Sequence, residues 1–231
     1  MEKNRHPPVF RADFHIHTEY SMDSLSPVEK VLDAAVKKGL DAIAITDHNE
    51  IAGAFEAKRI AKQRRLPLQI IIGEEVMCHE GDLLVFFIKR KIKPGLLADV
   101  LKEVKKQNAV CCAAHPYDFA RSGIALEKLP PKILAQIDCI EAFNCRAMVP
   151  GMNKKAEGAA EKYGKAVLAG SDSHHPSEIG GAWVEFKGIT RLTASSLLSS
   201  PRTLRGKIAS PHVKVYSRYA VLKKKIAARF K

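Results

Sequence analysis

No run of apolar residues in this 231-residue chain approaches the ~20 needed to cross a bilayer, and the longest, 83–88 and 109–114, are strand-sized. The chain begins Met-Glu-Lys-Asn-Arg-His-Pro-Pro, without an apolar signal core, so a cytoplasmic location is the expectation. Its five cysteines, Cys78, Cys111, Cys112, Cys139 and Cys145, make no paired framework, and two adjoin inside an apolar run. Buried thiols in a reducing compartment fit that pattern better than a disulfide scaffold. A P-loop, a Gly-x-Ser-x-Gly elbow and a Cys-x₅-Arg arrangement are all missing, which argues against nucleotide-driven phosphoryl transfer and against a serine or cysteine nucleophile. There is no internal repeat and no low-complexity linker. Acid is absent from the last thirty residues: 202–231 holds ten basic side chains and no carboxylate. Removing those ten from the 38 Lys+Arg leaves 28 against 25 Asp+Glu, so the net +13 divides into +3 over residues 1–201 and +10 over 202–231.

What is present is an ordinary globular composition, 46% hydrophobic and 27% charged, which excludes a disordered or fibrous chain. Seven short apolar runs, 9–14, 42–45, 68–72, 83–88, 109–114, 139–143 and 166–169, read as strands buried on both faces. Helical spacing occupies 27–38, 51–65, 96–107 and 154–163. The first of these has Ser26-Pro27 as N-cap and first-turn residue and Gly39 as its stop; Gly164 closes the last. Alternation of strands and helices predicts an α/β chain with a parallel sheet, open or closed into a barrel.

Polar chemistry follows the apolar runs. His15 and His17 follow the first, Thr46-Asp47-His48 the second, Gly73-Glu74-Glu75 the third, His115 the fifth, Asn144-Cys145-Arg146 the sixth and Asp172-Ser173-His174 the seventh. Six strand ends thus each carry a metal-competent or catalytic residue type, at the face where α/β barrels build their active sites. His15 and His17, two apart on a strand, project to one face, and Asp172 and His174 repeat the spacing. Imidazoles and carboxylates without thiolates suit zinc, manganese or iron in a catalytic site.

These stretches resemble the PHP (polymerase and histidinol phosphatase) family. The matching segments are Asp-Phe-His15-Ile-His17-Thr, Tyr-Ser-Met-Asp23-Ser, Ile-Thr-Asp47-His48-Asn, Gly-Glu-Glu75-Val, Ala-His115-Pro, Glu-Ala-Phe-Asn144 and Gly-Ser-Asp172-Ser-His174, in the family's order over residues 13–174. The resemblance implies a distorted seven-stranded (β/α) barrel with up to three divalent ions. It implies one ion on His15, His17, Glu75 and Asp172, and a second sharing Glu75 with His115 and Asn144. A third would take Asp23, His48 and His174. Asn144 stands where the family often has His or Cys, so the second site is expected to bind most weakly. Asp82 lies where some relatives carry a polar group near the metals.

The implied reaction is hydrolysis of a phosphoester by a metal-activated hydroxide, with no protein nucleophile. A small phosphorylated molecule such as a nucleotide is the expected substrate of a catalytic barrel spanning 1–201. Arg121, Arg146 and His175, next to the ligand-bearing strands, are candidates for the substrate phosphate, and Tyr20 for the leaving group. The basic extension 202–231 motivates a second reading, an exonuclease on short RNA or DNA holding nucleic acid through that extension. A third reading is a non-catalytic RNA-binding scaffold, as in a ribonuclease P protein of similar fold, which has lost the ligands this chain retains. In the extension, Val215, Tyr216, Tyr219, Leu222, Ile226 and Phe230 fall at helical spacing, so a basic amphipathic helix is expected with that stripe packed on the barrel or a partner.

Overall fold

The computed structural model describes residues 9–149 and 151–229. The strands are β1 (Val9–Ile16), β2 (Ala42–Ile45), β3 (Gln69–Cys78), β4 (Gly81–Phe86), β5 (Val110–Ala113), β6 (Cys139–Asn144), β7 (Ala166–Gly170), β8 (Ala182–Lys187) and β9 (Arg202–Gly206). The helices are α1 (Val28–Lys37), α2 (Ala52–Gln63), α3 (Leu97–Lys106), α4 (Pro131–Leu134), α5 (Met152–Tyr163), α6 (Ala194–Ser199) and α7 (Lys214–Arg229). One sheet runs in the order β7-β6-β5-β4-β3-β2-β1-β8-β9. Its β1 and β7 ends meet where Ile16 bridges Ser173, so the sheet is a nearly closed barrel.

All seven apolar runs are strands, but the pairing is not uniformly parallel. β4 runs antiparallel to both β3 and β5, because Cys78 to Gly81 turns tightly instead of crossing over through a helix. β3 therefore continues past the expected end at Ile72 to Cys78, and Glu75 sits within the strand. β8 and β9 were not legible as apolar runs. β8 alternates Trp183, Glu185 and Lys187 with buried Ala182, Val184 and Phe186, and β9 is a short, charged edge strand. Residues 202–206, the start of the basic extension, thus pair with β8.

Two apolar layers hold the barrel. Inside it lie Phe10, Ala12, Phe14, Ala42, Ala44, Leu84, Phe86, Cys112, Val184 and Phe186. Small residues on β2 and β5 leave room there for Phe14, which packs edge-on against Phe86 and Phe186 at centroid distances of 5.5 and 6.1 Å. Outside, Ile43, Ile45, Leu83 and Val85 meet the helices through Val31, Leu32, Ala57, Leu101 and Val104. Gly39 and Gly164 end α1 and α5 in the left-handed conformation, at φ of 69° and 60°. The expected Ser26 cap is not made: Pro27 is the flanking residue of α1, and the Ser26 hydroxyl donates to the His174 carbonyl at 2.9 Å.

Candidate metal centre

The site is built at one rim of the barrel by irregularities in the strands that carry it. The β1–β2 register shifts between Asp13 and Ile16, so Phe14 belongs to the interior while Ile16 packs towards the helices. The β6–β7 register shifts likewise between Glu141 and Phe143. Such bulges re-aim side chains beside active sites. His115 and Asp172 hold positive φ, 27° and 53°, a local backbone cost that persists where surrounding structure fixes it.

His15, His17, Glu75, His115 and Asp172 are all buried. His15 Nε2 lies 3.1 Å from His17 Nε2 and 3.0 Å from Glu75 Oε2, and His115 Nε2 lies 3.0 Å from Glu75 Oε1. Asp172 Oδ1 is 3.7 Å from His15 Nε2 and 3.5 Å from His17 Nε2. Asp23 Oδ2 is 2.8 Å from His174 Nε2 and 3.4 Å from His48 Nε2. Three overlapping groups result, each with ligand atoms within 4.8 Å of one another: His15, His17 and Asp172; His15, Glu75 and His115; and His17, Asp23, His48 and His174.

Burial favours a neutral Glu75, yet the imidazoles of His48 and His15 outweigh it and hold its carboxyl well below the ordinary range. Asp172 is likewise held down, against burial, by His15 and Arg121. Burial, the charge of Glu75 adding to it, pushes Asp82 up to about 7. Burial and the neighbouring His17 bring His174 down to about 4, although Asp23 pulls the other way. Buried carboxylates are tolerated when paired or on a metal, and the ring nitrogens here converge on the same oxygens. A further sign is that Nδ1 of His115 is buried with no hydrogen-bond partner among the described residues, while Nδ1 of His48 has Glu75 Oε2 beside it at 3.3 Å. The donor set fits divalent cations.

Of the remaining expected residues, Asn144 is occupied differently. Its amide nitrogen donates to Glu141 Oε2 and Asp172 Oδ2, each at 3.1 Å, and its oxygen accepts from the Arg146 backbone at 2.8 Å. It braces Asp172 instead of facing His115 with a free oxygen. Arg121 and Arg146 both line the cavity, yet their donors are largely spent on protein. Arg121 pairs with Asp118 at 2.8 Å and contacts Asp172. Arg146 contacts His174 Nδ1 and donates to the Val213 carbonyl and Ser217 Oγ, both at 3.1 Å. His175 is exposed, stacked on Tyr216 with centroids 4.5 Å apart. It lines a separate cavity beyond His174. Tyr20 lines neither.

Two supporting carboxylates escaped the sequence reading. Glu141 accepts from His15 Nδ1 at 3.0 Å and from the His115 backbone at 2.7 Å. Because a carboxylate only accepts, this fixes a proton on His15 Nδ1 and leaves Nε2 as the atom that faces Glu75 and would bind a cation. Asp13 accepts from Ser171, Gly180 and His15 backbone N–H groups, tying β1 to the loop after β7. The available signal was a lone carboxylate inside each apolar run.

The expected helix is present as α7, but its stripe does not pack on the barrel. Val215, Tyr216, Tyr219, Leu222 and Ile226 are exposed, whereas Ala220 is buried. Polar groups hold the helix down: Arg146 reaches Val213 and Ser217, and Lys224 Nζ donates to the Glu19 carbonyl at 2.6 Å and to that of Ser21. Phe230 lies outside the described residues.

Comparison with known proteins agrees with this architecture. Residues 13–171 match the PHP domain and residues 150–202 the PHP-associated region. An uncharacterised protein of Methanocaldococcus jannaschii is 30% identical over 188 residues, covering 78% of this chain and 71% of its own length. A second from the same organism is 36% identical over 118 residues, covering 46% and 68%. Among solved structures, a two-domain protein from Bacteroides vulgatus containing a PHP-like metal-dependent phosphoesterase superposes with a TM-score of 0.68 at 19% identity, over 87% of this chain and 66% of that one. A metal-dependent phosphoesterase from Bifidobacterium adolescentis gives 0.56 at 16%, over 93% and 98%. With the barrel, the ligand clusters and a family match over most of its length, this chain belongs to the PHP domain family.

Proposed function

We propose that this protein hydrolyses the phosphoester of a small phosphorylated molecule at a centre of up to three divalent ions. His15, His17, Glu75 and Asp172 would hold the first, Glu75 and His115 the second, and Asp23, His48 and His174 the third. The observation that carries this reading is the convergence of three ligand groups, sharing His15 and His17, in one cavity of about 360 Å³. Ions bound there lower the pKa of water and neutralise charge on the phosphoryl oxygens.

The chain's own residues set the geometry. Glu141 locks the His15 tautomer, Asn144 and Arg121 brace Asp172, and Arg146 fixes His174 against α7. No cysteine lines the cavity, and burial pushes the thiols of Cys111, Cys112, Cys139 and Cys145 up, so no thiolate is at hand to attack. The full ligand set favours catalysis over the scaffold reading.

The test is hydrolysis by the manganese-reconstituted protein, read as phosphate release from nucleoside monophosphates, aryl phosphates, sugar phosphates and histidinol phosphate, and as monoester or shortened product from cyclic diesters and short oligonucleotides. We expect monoester hydrolysis, abolished by chelation and cut by His17→Ala by more than the ~10–100-fold typical of outer-sphere losses. A protein holding its ions but hydrolysing none of these would refute the proposal.

A further inference from the structure

The cavity has a second, softer lining. Besides the ligands it is bordered by Met22, Met77, Met148 and Ala120, and by Ser217 and Arg218 of α7. The whole chain has five methionines, and three of them stand at this mouth, each from a different part of the barrel. They are 53%, 38% and 42% exposed, so their thioethers are open to a body that enters the cavity. Arg218 lines the same cavity, is exposed, and its side chain makes no hydrogen bond or ion pair among the described residues. Its helix is nevertheless held in place by the Arg146 and Lys224 bonds and by the Tyr216–His175 stack.

We propose that Met22, Met77, Met148 and Arg218 determine substrate specificity, by gripping a flat aromatic body that carries the phosphate into the metal centre. The inference rests on the phosphoesterase reading above. Thioethers make favourable contacts with aromatic rings and adapt to their outline. A guanidinium stacks on the face of a ring in a way an ammonium does not. A hydroxyl-rich alkyl body would find no polar partners on three thioethers. The cavity volume of about 360 Å³ stands near the lower end of ligand sites, which suits a monomeric ester. On this reading α7 is a wall of the active site and not a free basic arm.

The experiment compares binding of phenylphosphonate and methylphosphonate to the manganese-loaded full chain by calorimetry. Neither carries an ester bond, and both present the same anionic head to the ions, so their ratio isolates the organic body. Phenylphosphonate should bind about tenfold tighter. Met22→Ser and Arg218→Ala should each move that ratio towards one, and Arg218→Lys, which keeps the charge and loses the planar face, should behave like Arg218→Ala. Equal affinities in the native protein, or a ratio that none of these variants moves, would overturn the inference while leaving phosphonate binding as support for the phosphoesterase reading. Binding of neither phosphonate would remove that reading and the inference with it.

Discussion

A carboxylate inside an apolar strand is costly unless its oxygens are used, and Glu141 uses both, one on His15 and one on the His115 backbone and Asn144. It touches ligands from two of the three clusters without belonging to any of them. Glu141→Gln keeps the shape, but Asn144 Nδ2 and the His115 N–H lose an acceptor or His15 Nδ1 faces an amide. Titration of the variant with manganese should show affinity lowered about 10–100-fold while the fold is retained. The candidate ligands were legible because histidine is scarce and chemically distinctive, and because His15/His17 and Asp172/His174 each stand at strand spacing. Glu141 was not, since one acid in Cys-Ile-Glu-Ala-Phe-Asn has the same local pattern as an exposed strand residue. Asn144 shows where a family pattern stops short. Its neighbourhood matched the family's pattern, but its hydrogen bonds depend on Asp172, Glu141 and Arg121 from distant elements.

At the scale of elements, the barrel departs from simple strand–helix alternation at β4. Alternation of Leu83 and Val85 against Leu84 and Phe86 gives β4 two apolar faces, one to the helices and one to the interior. That makes it indistinguishable, in sequence, from a parallel strand. Its direction depends on the tight turn at Gly81, where φ is 130° and a Cβ would lie 2.7 Å from the Ser122 carbonyl. Phe86 is fully buried against Phe14, and Phe86→Ala should cost about 3–5 kcal/mol, read as a lowered denaturation midpoint at constant slope. α7 depends on fewer groups. Arg146→Ala removes the two bonds that hold its first turns, and hydrogen exchange should then accelerate through 214–229 while β6 stays protected. Equal protection of α7 in variant and native protein would mean that Lys224 and the Tyr216 stack suffice to hold it. The helix was legible from its periodicity. Its orientation was not, because the apolar stripe faces out and the clamps come from Arg146 and from the carbonyls of residues 19 and 21.

For the molecule as a whole, the candidate ligands come from β1, β3 and the loops after β1, β2, β5 and β7, so an ion held by them would cross-link most of the barrel. Binding to the folded chain alone stabilises it by about 2.7 kcal/mol at a hundredfold excess over Kd. For a domain of this size that is a rise of roughly 5–10 °C in Tm, since each kcal/mol shifts it by about 2–4 °C. Scanning calorimetry of the protein with manganese, and after chelation, measures it. His17→Ala should lose most of the difference, and an equal rise in that variant would place the stabilising ion elsewhere.

Residue chemistry and spacing along the chain determined the α/β class, the seven apolar strands, the ligand types and the split between a near-neutral body and a basic extension. These are local properties: burial period, turn residues and the rarity of histidine are readable one segment at a time. Tertiary structure alone decided the antiparallel course of β4, the addition of β8 and β9, the bracing role of Glu141 and Asn144, and the seat of α7 beside the candidate metal centre. Apart from the turn at Gly81, each of these depends on groups far apart in sequence, some more than a hundred residues, meeting in a buried setting where an unpaired charge or donor is expensive. The free energy of satisfying them is set by partners that no local pattern records.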